Sequence, residues 1–183
     1  MAREHKGKSI DKYIRNYVVL DVETTGLSPS YHELIEFACV RVRDGKIVNR
    51  FETLIKPSHL VNSFITSLTG ISNNMLIDAP NIDEVIDDIL SFIGDDIIVG
   101  HNVNFDINFI YEKAEAYRGV YLSNDFIDTM KMARRLFPYC PNHKLDTLSN
   151  RYNTKYFPSH RAMNDVLATY ELIEYMFEQQ KNH

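Results

Sequence analysis

Hydrophobic and polar residues follow two different periods along this chain, and the change of period divides it into elements. Tyr17–Glu23, "YVVLDVE", is a nearly unbroken apolar run of the kind shown by a strand buried on both faces. "LIEFACVRV" (Leu34–Val42) and "IVNRFETLI" (Ile47–Ile55) are also strand-like, and Asp44-Gly45 between them is a two-residue hairpin signal. The first three strands are therefore expected to form an antiparallel meander. After Ile55 the period lengthens. Ser63–Gly70 predicts a short helix closed by glycine. A longer helix is predicted over Asn81–Gly94, with Asn81 as cap, Glu84 at the capping-box position and Gly94 as terminator. Ile97–Gly100 is a short buried strand, a helix follows from about Asn104 to Tyr117, and Asp125–Thr129 is a fifth strand. Helices then cover Met130–Leu136, Leu145–Arg151 and Arg161–Gln179. Antiparallel strands followed by alternating helices and strands predict an α/β fold, a mixed sheet with helices on its faces.

The length, 183 residues, favours one domain with a real core. Residues 1–16 are polar and read as a loose arm ahead of a single domain over 17–180. No apolar run approaches the ~20 residues of a membrane helix, and the start "MAREHKGKSIDKYIRNY" has no hydrophobic signal core. Cys39 and Cys140 fit no metal-ligand spacing, so a reduced cytoplasmic setting is expected. The net charge of -5 argues against a broad basic grip on duplex DNA. It leaves open an enzyme that holds a few nucleotides and takes its positive charge from bound cations. Neither a phosphate-binding Walker loop nor a dinucleotide fingerprint is present.

Against this background four acids stand out. Asp21 and Glu23 lie two residues apart in the first strand and project from the same face. Burying two like charges side by side is costly; the ordinary alternative is that both sit at the strand's exposed end. Asp106 opens a helix on a stripe with Phe109, Ile110, Ala114 and Tyr117, where a first-turn acid is otherwise explained by the helix dipole. Asp165 leads the apolar stripe Ala168, Thr169, Leu172, Met176. His160, five residues earlier and just after Pro158-Ser159, is expected at the entry to that last helix. Hard divalent cations would relieve the repulsion of four converging carboxylates, and an all-oxygen set selects Mg²⁺ or Mn²⁺ over structural zinc. A pair of such ions with a histidine base suits phosphodiester hydrolysis.

The stretches "DVETTGL", "HNVNFD" and "HRAMND", in this order and spacing, resemble the three motifs of the DEDDh 3′–5′ exonucleases. Connecting text such as "IEFACVRVRDGKIVNRF", "LTGISNNML" and "KLDTLSNRYN" is similar to the branch holding the proofreading epsilon subunits of bacterial DNA polymerase III and the exonuclease segment of the Gram-positive replicative polymerase. The resemblance runs from about Tyr17 to Glu178. It implies an RNase H-like fold with strand order 3-2-1-4-5. It also implies two Mg²⁺ or Mn²⁺ ions held by Asp21, Glu23, Asp106 and Asp165, and His160 as general base. Thr24, Thr25, Gly26 and Leu27 would carry the 3′-terminal nucleotide, Leu27 as a wedge, and Asn102 and Phe105 would brace the second motif or touch the strand. The implied partner is a nucleic-acid 3′ end, DNA in preference to RNA, released as nucleoside 5′-monophosphates, with DNA polymerase III subunits as candidate partners and no membrane.

Two positions depart or stand apart. Thr69 replaces the histidine that epsilon subunits carry before Gly-Ile, and Glu36 is an acid in the second strand expected only to support the site. Asp87-Asp88 and Asp95-Asp96 read as solvated, and Tyr152, Tyr156 and Phe157 as packing below the last helix. Lys144 and Arg161 lie near site residues but carry weak expectations of phosphate contact, and His101 belongs to the turn before the second motif. Eighteen residues follow Asp165, which favours a free-standing enzyme over one that docks through a long tail. The alternatives are a 3′–5′ exoribonuclease of the same family and a non-catalytic nucleic-acid-binding or scaffold module.

Overall fold

A computed structural model describes residues 5–181. Strands β1 (Tyr17–Thr24), β2 (Leu34–Arg43) and β3 (Lys46–Leu54) open the fold. Helices α1 (Ser63–Thr69), α2 (Asn73–Leu76) and α3 (Ile82–Ile93) follow, then β4 (Ile98–Gly100), α4 (Asn104–Arg118), β5 (Phe126–Asp128), α5 (Thr129–Leu136), α6 (Leu145–Tyr152) and α7 (Ala162–Lys181). The strands form one sheet in the order β3-β2-β1-β4-β5. β1 and β3 flank β2 antiparallel, and β1, β4 and β5 run parallel. The β2–β3 turn meets the expectation from Asp44-Gly45: both residues have positive φ, 51° and 72°, as a type I′ turn demands. Glu84 reaches back to the Asn81 amide at 2.7 Å and closes the α3 capping box. α2 was not expected; its four residues bury only Leu76 and leave no period to read.

The apolar run of β1 is explained by burial on both sides. Tyr17 and Val19, with Ala38, Val40 and Val42 of β2, meet Met132 of α5, Leu148 of α6, and Val166, Leu172 and Met176 of α7. Val18, Leu20 and Val22, with Phe37 and Cys39, meet Ile89 and Ile93 of α3 and Ile107, Phe109 and Ile110 of α4. Any acid at an odd position of β1 therefore faces α7.

Three expectations are corrected. Residues 1–4 of the arm lie outside the described residues, but from Lys8 on the arm is not loose. Ile10 N–H donates to the Phe126 carbonyl (2.8 Å), Phe126 N–H donates to the Lys8 carbonyl (3.0 Å), and Ser9 bridges Phe126 in parallel on the outer edge of β5. Arg135 grips Asp11 through two bonds of 2.8 Å, and Ile10 and Ile14 pack on the α7-side core. Covering a sheet edge satisfies backbone groups, an interaction that side-chain patterning does not reveal. Asp96 is not solvated either: one of its oxygens takes Arg41 at 2.8 Å and Arg43 at 2.7 Å. Tyr117 leaves the α4 stripe and is half exposed, whereas Phe109, Ile110 and Ala114 are buried.

Candidate active site

The site grows from the far end of β1. Pairing with β4 is short, Val18 to Ile98 and Val19 to Val99. Beyond it, the Val22 amide donates to Asp106 Oδ1 at 3.1 Å. The first turn of α4 thus takes over where the neighbouring strand ends, and this fixes Asp106, 3% exposed, beside the strand that carries Asp21 and Glu23. From the other side of the sheet α7 brings Asp165, whose Oδ1 accepts from the Ser159 amide at 2.8 Å. His160 stands at the entry to α7 with φ 54°, a left-handed conformation uncommon outside glycine. Ligand atoms of Glu23, His160 and Asp165 all lie within 4.8 Å of one another. Asp21 feels the charges of Asp106, Asp165 and Glu23. All five singled-out residues therefore converge at one end of β1.

What holds α7 there is Glu36. It sits opposite Glu23 on β2 and is 3% exposed. Arg161 donates to its carboxylate from Nη2 (2.8 Å) and Nε (3.1 Å), and the Ala162 amide adds a bond of 2.9 Å. Arg161 points inward to this pair, and Glu36 caps the first turn of α7 at the positive end of its dipole. The pair joins residues 125 apart in sequence. Glu36 thus supports the site as expected, whereas Asp128 went unread: its Oδ1 accepts from Asn102, Met130 and Lys131 amides at 3.1, 3.0 and 3.3 Å, tying the turn before α4 to the start of α5. In sequence it was only the end of an apolar strand before a threonine.

The electrostatics are those of crowded, desolvated acids. Burial, then Asp106 and Asp165, raises the Asp21 carboxyl well above the ordinary range. Burial, then Asp165 and Glu36, pushes Glu23 up to about 8, although Arg161 opposes this. Asp106 and Asp165 are raised by burial too, each relieved by backbone amides. No described residue donates a hydrogen bond to the Asp21 or Glu23 carboxylate, whereas Asp106 and Asp165 are held by backbone amides. Two bare carboxylates flanked by two anchored ones and an imidazole make a donor set suited to hard divalent cations.

A pH effect follows. Because the folded carboxyls protonate more easily than unfolded ones, they favour the folded state fully at low pH, and that contribution is lost as pH rises. For Glu23 the window runs from 4.5 to about 8. In EDTA the protein is expected to melt about 5–10 °C higher at pH 5 than at pH 8.5. A scanning fluorimetry series showing a flat or rising melt over that range would contradict the crowding.

The loop after β1 is held as tightly as the acids. Thr24 Oγ1 donates to the Gly26 carbonyl (2.7 Å), the Thr25 amide donates to the Glu33 carbonyl (2.9 Å), and the Glu33 amide returns to Thr25 Oγ1 (3.0 Å). The His32 ring covers Gly26 so closely that a Cβ there would sit 2.2 Å from it. Gly26→Ala must displace that ring, and we expect KM for a nucleic-acid substrate to rise about ten-fold, on the order of 1.4 kcal/mol of lost binding, with a steady-state assay as the check. Leu27 is 85% exposed beside it. Phe105 is half-buried against Phe109, with ring centroids 5.0 Å apart, and Asn102 is exposed at φ 63°. Thr69 is buried, its hydroxyl shared between the Ile65 carbonyl (2.9 Å) and the Ile71 amide (3.1 Å), so it closes α1. His101 bonds Thr129 Oγ1 and the His143 carbonyl, each at 2.9 Å, consistent with a turn residue.

Comparison with known proteins identifies the family and the fold. Residues 18–173 match the family described as Exonuclease (RNase_T). The DNA polymerase III subunit epsilon of Aquifex aeolicus is 37% identical over 163 residues, covering 89% of this chain and 81% of that one. The PolC-type DNA polymerase III of Caldanaerobacter subterraneus is 43% identical over 162 residues, but the chain spans only 12% of that relative's length. Among solved structures, exonuclease X in complex with 5′ overhanging duplex DNA superposes with a TM-score of 0.73 at 26% identity, covering 90% of this chain and 93% of that one. E. coli exonuclease I with a dT13 oligonucleotide reaches 0.77 at 20% identity over 92% of this chain and 42% of that one, a likeness of fold. The chain belongs to the exonuclease family, with the five-stranded RNase H-like sheet that its structural neighbours share.

Proposed function

We propose that this domain removes nucleotides one at a time from the 3′ end of DNA, as a single strand or a frayed end, releasing nucleoside 5′-monophosphates. The observation that supports this reading is the convergence of Asp21, Glu23, Asp106 and Asp165 with His160 at one end of β1. Asp21, Glu23 and Asp165 would hold one Mg²⁺ or Mn²⁺, and Asp21 and Asp106 a second. Bound there, such ions would lower the pKa of a water and stabilise charge on the attacking and leaving oxygens. His160, exposed at the mouth of the cluster, takes the water's proton. Asp165 orients that corner through Ser159, and the Glu36–Arg161 pair fixes the helix that carries both. The Thr24–Leu27 turn carries the terminal nucleotide, with the exposed Leu27 against its base, and Asn102 and Phe105 brace the second motif or touch the strand.

The epsilon and PolC-type relatives are named as DNA polymerase III proteins, which supports a proofreading setting with polymerase subunits as partners and DNA as the substrate. Free Cys39 and Cys140 fit a reducing cytoplasm. Among the described residues no helix is long and apolar enough to cross a membrane.

The test is a 5′-labelled single strand incubated with the protein and Mg²⁺ or Mn²⁺. A ladder shortening from the 3′ end is expected. Full-length strand at every time point with either metal would overturn the reading, and a matched RNA oligomer degraded faster than DNA would move it to the exoribonuclease alternative.

A further inference from the structure

Beyond the residues that meet at the acids, the β1–β2 loop carries an aromatic side chain with no role in the fold. Tyr31 is 87% exposed, and Leu27, four residues before it, is 85% exposed. Among the described residues nothing hydrogen-bonds the Tyr31 hydroxyl or packs on its ring, unlike Tyr17, Tyr111, Tyr152 and Tyr175. A single exposed tyrosine is ordinary. What distinguishes this one is the rigidity of its base. The Tyr31 and His32 amides both donate to the Ser28 carbonyl, at 3.1 and 2.8 Å, closing a turn over residues 28–32 that begins directly after Leu27. His32 locks the turn from within, through Gly26 and the Ser28 backbone. Ser30 bonds Glu112 of α4 at 3.2 Å, and the Glu33 carboxylate takes the Ser58 amide at 3.0 Å. The loop is thus moored on both flanks, and its two largest apolar groups remain in water.

We propose that Tyr31 is a base-stacking residue. With Leu27 it forms a shelf that takes a nucleobase of the strand upstream of the nucleotide being removed. The proposal rests on the exonuclease reading and extends its substrate contact outward along the same loop. The position of the shelf favours a nucleic-acid strand as occupant: it lies on the loop that leads directly out of the β1 end carrying the acids. A net charge of -5 leaves little ionic grip on phosphates, so a strand held there needs another source of affinity. Stacking supplies affinity without charge and without sequence preference, because every base has a π-face. A ring with few rotatable bonds on a fixed loop also loses little entropy when a base covers it.

The experiment is equilibrium binding of a short single strand bearing 2-aminopurine next to its 3′-terminal residue, with Ca²⁺ replacing Mg²⁺, beside binding of thymidine 5′-monophosphate. Tyr31→Ala is expected to weaken oligomer binding roughly ten-fold and to relieve the 2-aminopurine quenching, while mononucleotide binding and the salt dependence stay unchanged. Tyr31→Phe and Tyr31→Trp should bind as wild type does. Oligomer affinity unchanged in Tyr31→Ala, or oligomer and mononucleotide weakened alike, would overturn the stack and leave the ring as a protein contact or a loop support. Hydrolysis is read separately. A protein that binds through Tyr31 yet never shortens a strand would uphold the shelf and overturn the exonuclease reading.

Discussion

Asp21→Asn is expected to lower kcat by about 10³-fold or more and, in EDTA, to raise the melting temperature. The two effects have one cause. Asp106, Asp165, Glu23 and Glu36 all disfavour the ionisation of Asp21. It is also an acid to which no described residue donates a hydrogen bond, so in the metal-free protein its charge contributes repulsion and little else. Asparagine keeps its volume and removes the charge, so the melt in EDTA at pH 8.5 should rise by about 2–8 °C, the equivalent of about 1–2 kcal/mol for a chain of this length. Mg²⁺ or Mn²⁺, binding only the folded protein, should raise the wild-type melt by mass action and raise that of the variant much less. The fall between pH 5 and 8.5 should flatten as well, because the raised Asp21 carboxyl no longer titrates. A variant less stable than wild type in EDTA would mean that Asp21 has a structural role, and undiminished turnover would remove it from the site.

That coupling also explains why the site was more legible than its surroundings. An acid inside "YVVLDVE" breaks a strong local pattern, and Asp165 breaks another at the head of an apolar stripe, so each announces itself within a few residues. The hairpin at Asp44-Gly45 and the cap at Asn81 are local in the same sense, and both formed where the side-chain chemistry requires. The partners that went unread act over long separations. Glu36 was expected to support the site, but its partner Arg161 lies 125 positions away, and Asp96 meets Arg41 and Arg43 across more than fifty. Nothing near these residues in sequence reveals such pairings. Asp128 is different: its cap bonds to Met130 and Lys131 are local, and only its bond to Asn102 is distant. The N-terminal arm misled for a related reason. Its order comes from backbone bonds to Phe126, which leave no hydrophobic period, and Ile10 and Ile14 were too few to mark it. Tyr31 is the converse case: an aromatic residue that composition would place inside stands in water because the loop beneath it is complete without it.

His160→Gln is expected to reduce kcat by about 10²–10⁴-fold, the range for loss of a general base, while leaving metal-dependent stabilisation and strand binding nearly intact. The geometry sets up two roles that this variant separates. His160 presents a ring nitrogen within 4.8 Å of ligand atoms on Glu23 and Asp165, so the same corner could use the ring as a third ligand. Its exposure favours the base: Glu23, Asp106 and Asp165 are buried and Asp21 is half-buried, whereas His160 stands in solvent at the end of the Pro158–Ser159 approach. Glutamine retains the unbranched Cβ that the residue needs at φ 54° and a polar tip near the same place, but it cannot accept and release a proton at neutral pH. A base therefore predicts a lower kcat at every metal concentration, with the Mn²⁺ midpoint of the melting shift moving less than about three-fold, roughly 0.6 kcal/mol. A ligand predicts the reverse: a midpoint displaced at least ten-fold, about 1.4 kcal/mol, and activity recovered by excess Mn²⁺. Kinetics and melts on one preparation distinguish the two, and recovery at high metal would move His160 from proton transfer into the coordination set.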